Sequence, residues 1–312
     1  MPRLKTQAAK ESLLRRVRRQ RLNYITILPS LVTILNGLCG FAAIVFAGKG
    51  PHMFAKAGYM LLLAMIADML DGRLARISQS TSSFGGQLDS LCDIVSFGVA
   101  PAFLMLKILE CKLAAFSASN AFIVGFLQRF FWLAAAAYVS CAAIRLARFN
   151  VENEEDESAH MSFVGLPTPA AAGVLISLII FHQETLPYLS AKNSYEYIIC
   201  ENAIIYSLPF LALGTGVLMV SRIRYPHVLN QYIKGKKPFA HFIRVLLGLG
   251  LIIWSRQAAL VLIFCGFAAG SFVKWLYFRL RKTTNGLIPA LPEPSAEIIN
   301  ADEADLSGSQ SA

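Results

Sequence analysis

Stretches of about 17–25 predominantly apolar residues recur eight times along the chain, each long enough to cross a bilayer as a helix. They fall at about residues 25–47, 53–76, 85–107, 124–149, 166–182, 203–220, 238–255 and 258–278. Between them the polar surface is too small for a water-soluble globule. Charged residues make up 15% of the 312, against about 25% in an ordinary soluble domain. The same composition excludes disordered, collagen-like and coiled-coil chains, and six scattered Cys exclude a small disulfide scaffold. The expected fold is all-α: a polytopic membrane helix bundle with about eight transmembrane helices.

Charge sets the orientation. Residues 1–23 carry eight Lys/Arg against Glu11 alone, and the tail from 283 to 312 carries five acids with no Lys or Arg. A basic stretch beside the first span marks the cytoplasmic side. The inner connections hold Arg73, Arg76, Arg145, Arg148, Arg222 and Arg224, whereas the outer ones hold few cations, such as Lys49, Lys112 and Lys192. Both termini are therefore expected in the cytoplasm, with the chain in the inner membrane and no nucleic-acid partner. The expected organisation is a basic arm at 1–23, a membrane domain at 24–240, a transmembrane hairpin at 241–282 and a disordered acidic tail at 283–312. Cys111 and Cys200 are the two cysteines expected in loops, where a bridge between them can be considered; the other four lie in apolar spans.

The chemistry gathers at the inner ends of spans two and three. Two aspartates, Asp68 and Asp71, precede Gly72, Ala75 and Arg76; Gly85 then leads to Asp89 and Asp93. A charge at span depth costs about 2.5–3.5 kcal/mol on insertion scales, so such residues mark function. At 100° per residue, positions 68, 71, 72, 75 and 76 lie within an arc of about 140° on one helix face. Positions 85, 89 and 93 lie within about 80° on another. The short stretch Ile77–Phe84 can turn the second helix back beside the first. Four carboxylates in a low-dielectric site cannot all stay ionised without cations. Oxygen donors with no His nearby suit hard ions: Mg²⁺, with Mn²⁺ or Ca²⁺ as alternatives. Gly72, Ala75 and Gly85 leave room for a substrate, and Arg76 can meet a phosphate.

The pattern Asp68-x2-Asp71-Gly72-x2-Ala75-Arg76-x8-Gly85-x3-Asp89-x3-Asp93 resembles the signature of the CDP-alcohol phosphotransferase family at all eight fixed positions. The resemblance implies a six-helix core, usually dimeric, that transfers a substituted phosphoryl group from a CDP-linked donor to an alcohol and releases CMP. It implies that Asp68, Asp71 and Asp89 bind a divalent metal, Mg²⁺ or Mn²⁺. Asp93 is implied to share a second ion and act as general base, with Gly72, Ala75 and Arg76 lining the CDP site.

Flanking segments bear on the acceptor. The run from Asp89 through Ser96, Phe97, Gly98 and Pro101 resembles the branch that uses CDP-diacylglycerol and L-serine, as do Arg145-Leu-Ala-Arg148-Phe149-Asn150, Gly165-Leu-Pro167-Thr168-Pro169 and Ser221-Arg222-Ile-Arg224-Tyr225-Pro226. Members that use glycerol phosphate typically carry Pro and Lys where Ser90 and Ile94 stand. Ser30 departs from the Asn common on the first helix. The stripe Ser30, Thr33, Asn36 is read either as contacts to the donor's phosphates or nucleotide or as interhelical hydrogen bonds. Arg145 and Arg148 are read as a grip on phosphate or on the serine carboxylate, against snorkelling cations. Glu152–Glu157 is expected as a solvated loop, and His160 as a loop histidine. Another alcohol acceptor (glycerol 3-phosphate, inositol phosphate, choline) and, from a different class, an ion-coupled transporter are the competing readings. A transporter is expected to show repeated or broken spans near the midplane, whereas these acids sit at one inner end.

Overall fold

The structure is a computed structural model describing residues 29–78, 83–116, 121–155, 163–187, 194–221, 223–225 and 255–285. Helix α1 spans Pro29–Gly48, and a 3-10 turn at Pro51–Met53 leads into α2, Phe54–Ser78. Helix α3, Ser83–Asp93, passes through a π-helical segment, Ile94–Val99, into α4, Ala100–Phe116. Helices α5 (Ala121–Glu155), α6 (Thr168–Glu184), α7 (Ser194–Val220) and α8 (Arg256–Asn285) follow. The only sheet among the described residues pairs β1, Phe163–Val164, with β2, Arg224–Tyr225, antiparallel.

The helical membrane architecture expected from the apolar runs is present. Among the described residues five helices are long and apolar enough to cross a membrane: α1, α2, the rod from Phe84 to Ala114, α5 and α7. Helix α6 has 17 residues, about 25 Å at 1.5 Å per residue, and Arg256–Gly270 is a shorter apolar helix. Residues 238–254 of the seventh expected span lie outside the described residues, as do the basic arm and the boundary expected near 240.

Several local expectations need correction. The third span is not a uniform α-helix, since Ile94–Val99 adopts the wider π turn. The acidic run expected as a loop from Glu152 is helical through Glu155, because α5 does not stop at the charge change. Residues 283–285, expected in the tail, are the helical end of α8, and the rest of the expected tail lies outside the described residues. Cys111 and Cys200 lie on α4 and α7 rather than in loops, and both are free thiols, so the bridge does not form.

The chain divides into two compact units, Met1–Ser271 and Phe272–Ala312. Within the first, α5 lies along α7, α4 against α5, and α6 between α2 and α7. Lipid tails are as apolar as Leu, so close backbone approach rather than water exclusion joins such helices, and small residues suit it. Ala57, Ala64, Ala134, Ala142, Ala171 and Ala172 are all buried at these contacts, while large side chains such as Phe41, Phe122, Leu133 and Phe210 face outward. At one end of the bundle Lys112 pairs with Glu201, and Glu184 accepts hydrogen bonds from Tyr59 (2.6 Å) and Gln257 (2.7 Å). The aspartates lie at the other end.

That second end is tied by backbone. Gly165 N–H donates to the Ile223 carbonyl (2.8 Å) and Leu166 N–H to that of Leu218 (3.0 Å), which closes the segment ahead of α6 onto the end of α7. Gly165 has φ +84°, and a Cβ there would lie 2.3 Å from the Met219 carbonyl oxygen. Backbone in this region costs a non-Gly residue about 1–3 kcal/mol before any clash. Gly165→Ala is therefore expected to lower the thermal midpoint in detergent by about 2 °C or more. An unchanged midpoint would contradict this geometry.

Candidate active site

Helices α2 and α3 bring the predicted carboxylates together. Asp68 and Asp71, one turn apart on α2, and Asp89 on α3 each offer an oxygen, and these oxygens lie within 4.8 Å of one another. Asp71 is 4% exposed. Asp71 Oδ2 and Asp89 Oδ1 are buried with no hydrogen-bond partner. Buried carboxylate oxygens normally recruit N–H or O–H donors. Three that converge while two leave an oxygen unmet fit a hard cation, whose ligands are oxygens.

Asp93 lies beside this triad, within the electrostatic reach of Asp68 and Asp89, but its carboxylate is engaged elsewhere. Asn36 Nδ2 of α1 donates to Asp93 Oδ1 at 2.9 Å. Asn36 is fully buried and Asp93 nearly so. Thr33, one turn before Asn36, donates to the Pro29 carbonyl at 3.1 Å and sits against Asp71. The inner face of α1 thus borders both halves of the cluster: of the Ser30, Thr33, Asn36 stripe, Thr33 meets Asp71 and Asn36 meets Asp93.

A short side chain reaches Asp93 because α1 runs almost in backbone contact with the π segment. A Cβ at Gly40 would lie 2.7 Å from Ser96 Cα. Ser96 Oγ donates to the Asn36 carbonyl at 2.9 Å, which fixes the register between the two. Tyr138 of α5, fully buried, donates to the Phe97 carbonyl at 2.9 Å and satisfies a group within the widened turn. Such π segments concentrate at functional sites; this one begins immediately after Asp93.

The other predicted residues occupy the same end. Gly72 faces open space, with nothing within 4 Å of the position a Cβ would take. Gly85 lies one turn before Asp89 on α3. Ala75 and Arg76 belong to the last turns of α2, and their side chains lie outside the described residues. Arg145 is buried on α5, within the electrostatic reach of Asp68, 6.0 Å from the Phe149 ring centroid and 3.5 Å from Thr168 Oγ1 at the start of α6. Arg148 is half-buried one turn further along. Asn150 Nδ2 donates to Ser90 Oγ at 2.8 Å, so the residue after Asp89 is anchored to α5. Sequence reasoning named Ser90, Asn150 and Thr168 only as parts of motifs. Their partners are 23 and 60 residues away and carry no local signal.

Five membrane-length helices with an acidic cluster and a buried arginine at one end define a polytopic membrane protein with a candidate cation site at that end. The family model described as CDP-alcohol phosphatidyltransferase matches residues 26–208, and the chain belongs to that family. A Helicobacter pylori protein named CDP-diacylglycerol–serine O-phosphatidyltransferase is 30% identical over 261 residues, 83% of this chain and 95% of its own. Proteins of the same name from Methanocaldococcus jannaschii (33% identical, 66% of this chain, 77% of the relative) and Saccharomyces cerevisiae (38%, 47% and 51%) are also similar. The chain is a multi-pass membrane enzyme of this family.

Proposed function

We propose that the protein transfers the phosphatidyl group of CDP-diacylglycerol to the hydroxyl of L-serine, giving phosphatidylserine and CMP. The observation that carries the phosphoryl chemistry is the convergence of the Asp68, Asp71 and Asp89 carboxylates with Asp93 beside them. The choice of serine is supported by the names of the relatives that the chain resembles over most of its length.

In this reading Asp68, Asp71 and Asp89 hold a divalent cation, Mg²⁺ or Mn²⁺, and Asp93 shares a second. Bound there, the cations supply charge neutralisation for the pyrophosphate and for departing CMP. Asp93 accepts the proton of the serine hydroxyl as that oxygen bonds to the lipid-side phosphorus. The bond from this phosphorus to the bridging oxygen breaks, and the electron pair leaves with CMP. Gly72, Ala75, Gly85 and Thr33 border the donor, and Arg76 answers its phosphate. Arg145, presented by α5 and braced by Thr168, meets the serine carboxylate in this reading, with Arg148 contributing charge. The acyl chains lie between helices in the membrane. The excess of Lys and Arg in the inner connections supports a site and both termini on the cytoplasmic face of the inner membrane. By family likeness the working unit is a homodimer.

The test is CMP release by purified protein with CDP-diacylglycerol and Mg²⁺ or Mn²⁺, with L-serine, glycerol 3-phosphate, inositol phosphate or choline added separately. Serine is expected to stimulate release while the other alcohols do not, and phosphatidylserine to accumulate in step with CMP. Stimulation by another alcohol alone would keep the phosphoryl-transfer site and overturn the acceptor. No release with any acceptor, from folded protein, would overturn the reaction.

A further inference from the structure

Asn36 is an expensive residue to keep where it stands. It has no exposed surface, and while Nδ2 donates to Asp93, Oδ1 is buried with no hydrogen-bond partner. The amide nitrogen meets Asp93 Oδ1, and the amide oxygen is turned away from it. A buried acceptor left unmet costs more than an interhelical hydrogen bond in a membrane protein returns on average. The pair therefore does not repay its own cost in stability.

What surrounds it serves the position of Asp93. The Ser96 hydroxyl holds the Asn36 carbonyl at 2.9 Å, and the bare Gly40 lets α1 close on the π segment. The amide is thereby fixed at both its backbone and its side chain. We infer that Asn36 is a positioning residue for Asp93: its amide holds Oδ1 and leaves Oδ2 as the oxygen that meets the acceptor hydroxyl. This rests on the base role proposed for Asp93 and adds to it the group that fixes the base's rotamer. A base displaced by about 1 Å can cost about 100-fold in rate, because the proton must move within a short hydrogen bond.

The experiment compares Asn36→Leu, which is of similar size and has no donor, with Asn36→Ser, which retains a short donor and leaves room for a bridging water. Turnover and KM for both substrates are measured, with CDP binding by calorimetry in Mn²⁺ and with Asp93→Asn in parallel. For Asn36→Leu kcat is expected to fall about 100-fold, while both KM values and CDP affinity stay within threefold of wild type. Asn36→Ser is expected to recover about tenfold of that loss, which a purely structural contact would not do. Wild-type turnover in Asn36→Leu overturns the inference. So does a fall in CDP affinity that parallels the loss of rate, which would make Asn36 a donor contact. If Asn36→Leu does not fold, the kcat-against-KM split in Asn36→Ser decides in the same way. Substantial turnover in Asp93→Asn would instead remove the base reading, whatever the Asn36 variants do.

Discussion

Asp93→Asn is expected to reduce serine-dependent CMP release by about 10²–10⁴-fold, the range a positioned general base contributes, with CDP affinity nearly unchanged. The substitution is close to isosteric. Its side-chain oxygen can still accept from Asn36 Nδ2, which now reaches Asp93 Oδ1 at 2.9 Å, so the contact between α1 and α3 survives. What disappears is the ability to take a proton from the serine hydroxyl. The main donor-side ligands proposed, Asp68, Asp71 and Asp89, remain within 4.8 Å of one another and untouched. The measurement pairs initial rates of CMP release with calorimetric CDP binding. Turnover within tenfold of wild type would remove Asp93 as the base. Loss of CDP binding along with turnover would make it chiefly a donor-side ligand.

The carboxylate arrangement was legible in the sequence because it depends on helical spacing. Asp68 and Asp71 three apart must share a face, and a short connection must return Asp89 towards them; the structure needs no more than that to gather their oxygens. The spans were legible for a similar reason, since length and apolarity alone decide what can sit in a bilayer. The π segment was not. Its widened turn depends on Tyr138 capping the Phe97 carbonyl and on Ser96 bonding α1, contacts 41 and 60 residues away in the chain. The path of α5 past Arg148 was missed because an acidic run reads as solvated whether or not the backbone stays helical. The positions of Cys111 and Cys200 were missed because polar neighbours at helix ends imitate a loop. Asn36 stood out as a polar residue on an apolar helix. That its partner is Asp93 rather than a ligand follows only from the close approach of α1 at Gly40.

Asp71→Asn is expected to separate stability from activity in opposite directions. The Asp71 carboxylate is almost fully buried, its Oδ2 meets no protein donor, and the carboxylates of Asp68 and Asp89 face it. A buried carboxylate oxygen left without a donor carries a desolvation penalty; without a cation, that is the condition of Oδ2, while Thr33 and the Gly72 N–H meet the carboxylate otherwise. A neutral amide lowers the cost, so the metal-free variant should melt above metal-free wild type. A cation that binds only the folded state stabilises it by about 2.7 kcal/mol at a hundred times its Kd. Wild type should therefore gain several degrees on adding Mn²⁺, and Asp71→Asn should gain little, because an anionic ligand has become a neutral amide that can turn N–H donors towards the ion. Serine-dependent CMP release should fall at least about 100-fold, more than the 10–100-fold that changes in a metal's outer partners typically cost. The paired readout is differential scanning fluorimetry in detergent, with chelator and with Mn²⁺. A Mn²⁺-induced shift as large in Asp71→Asn as in wild type would place the cation away from Asp71. A metal-free variant that melts below metal-free wild type would show that the buried carboxylate is satisfied by the protein itself.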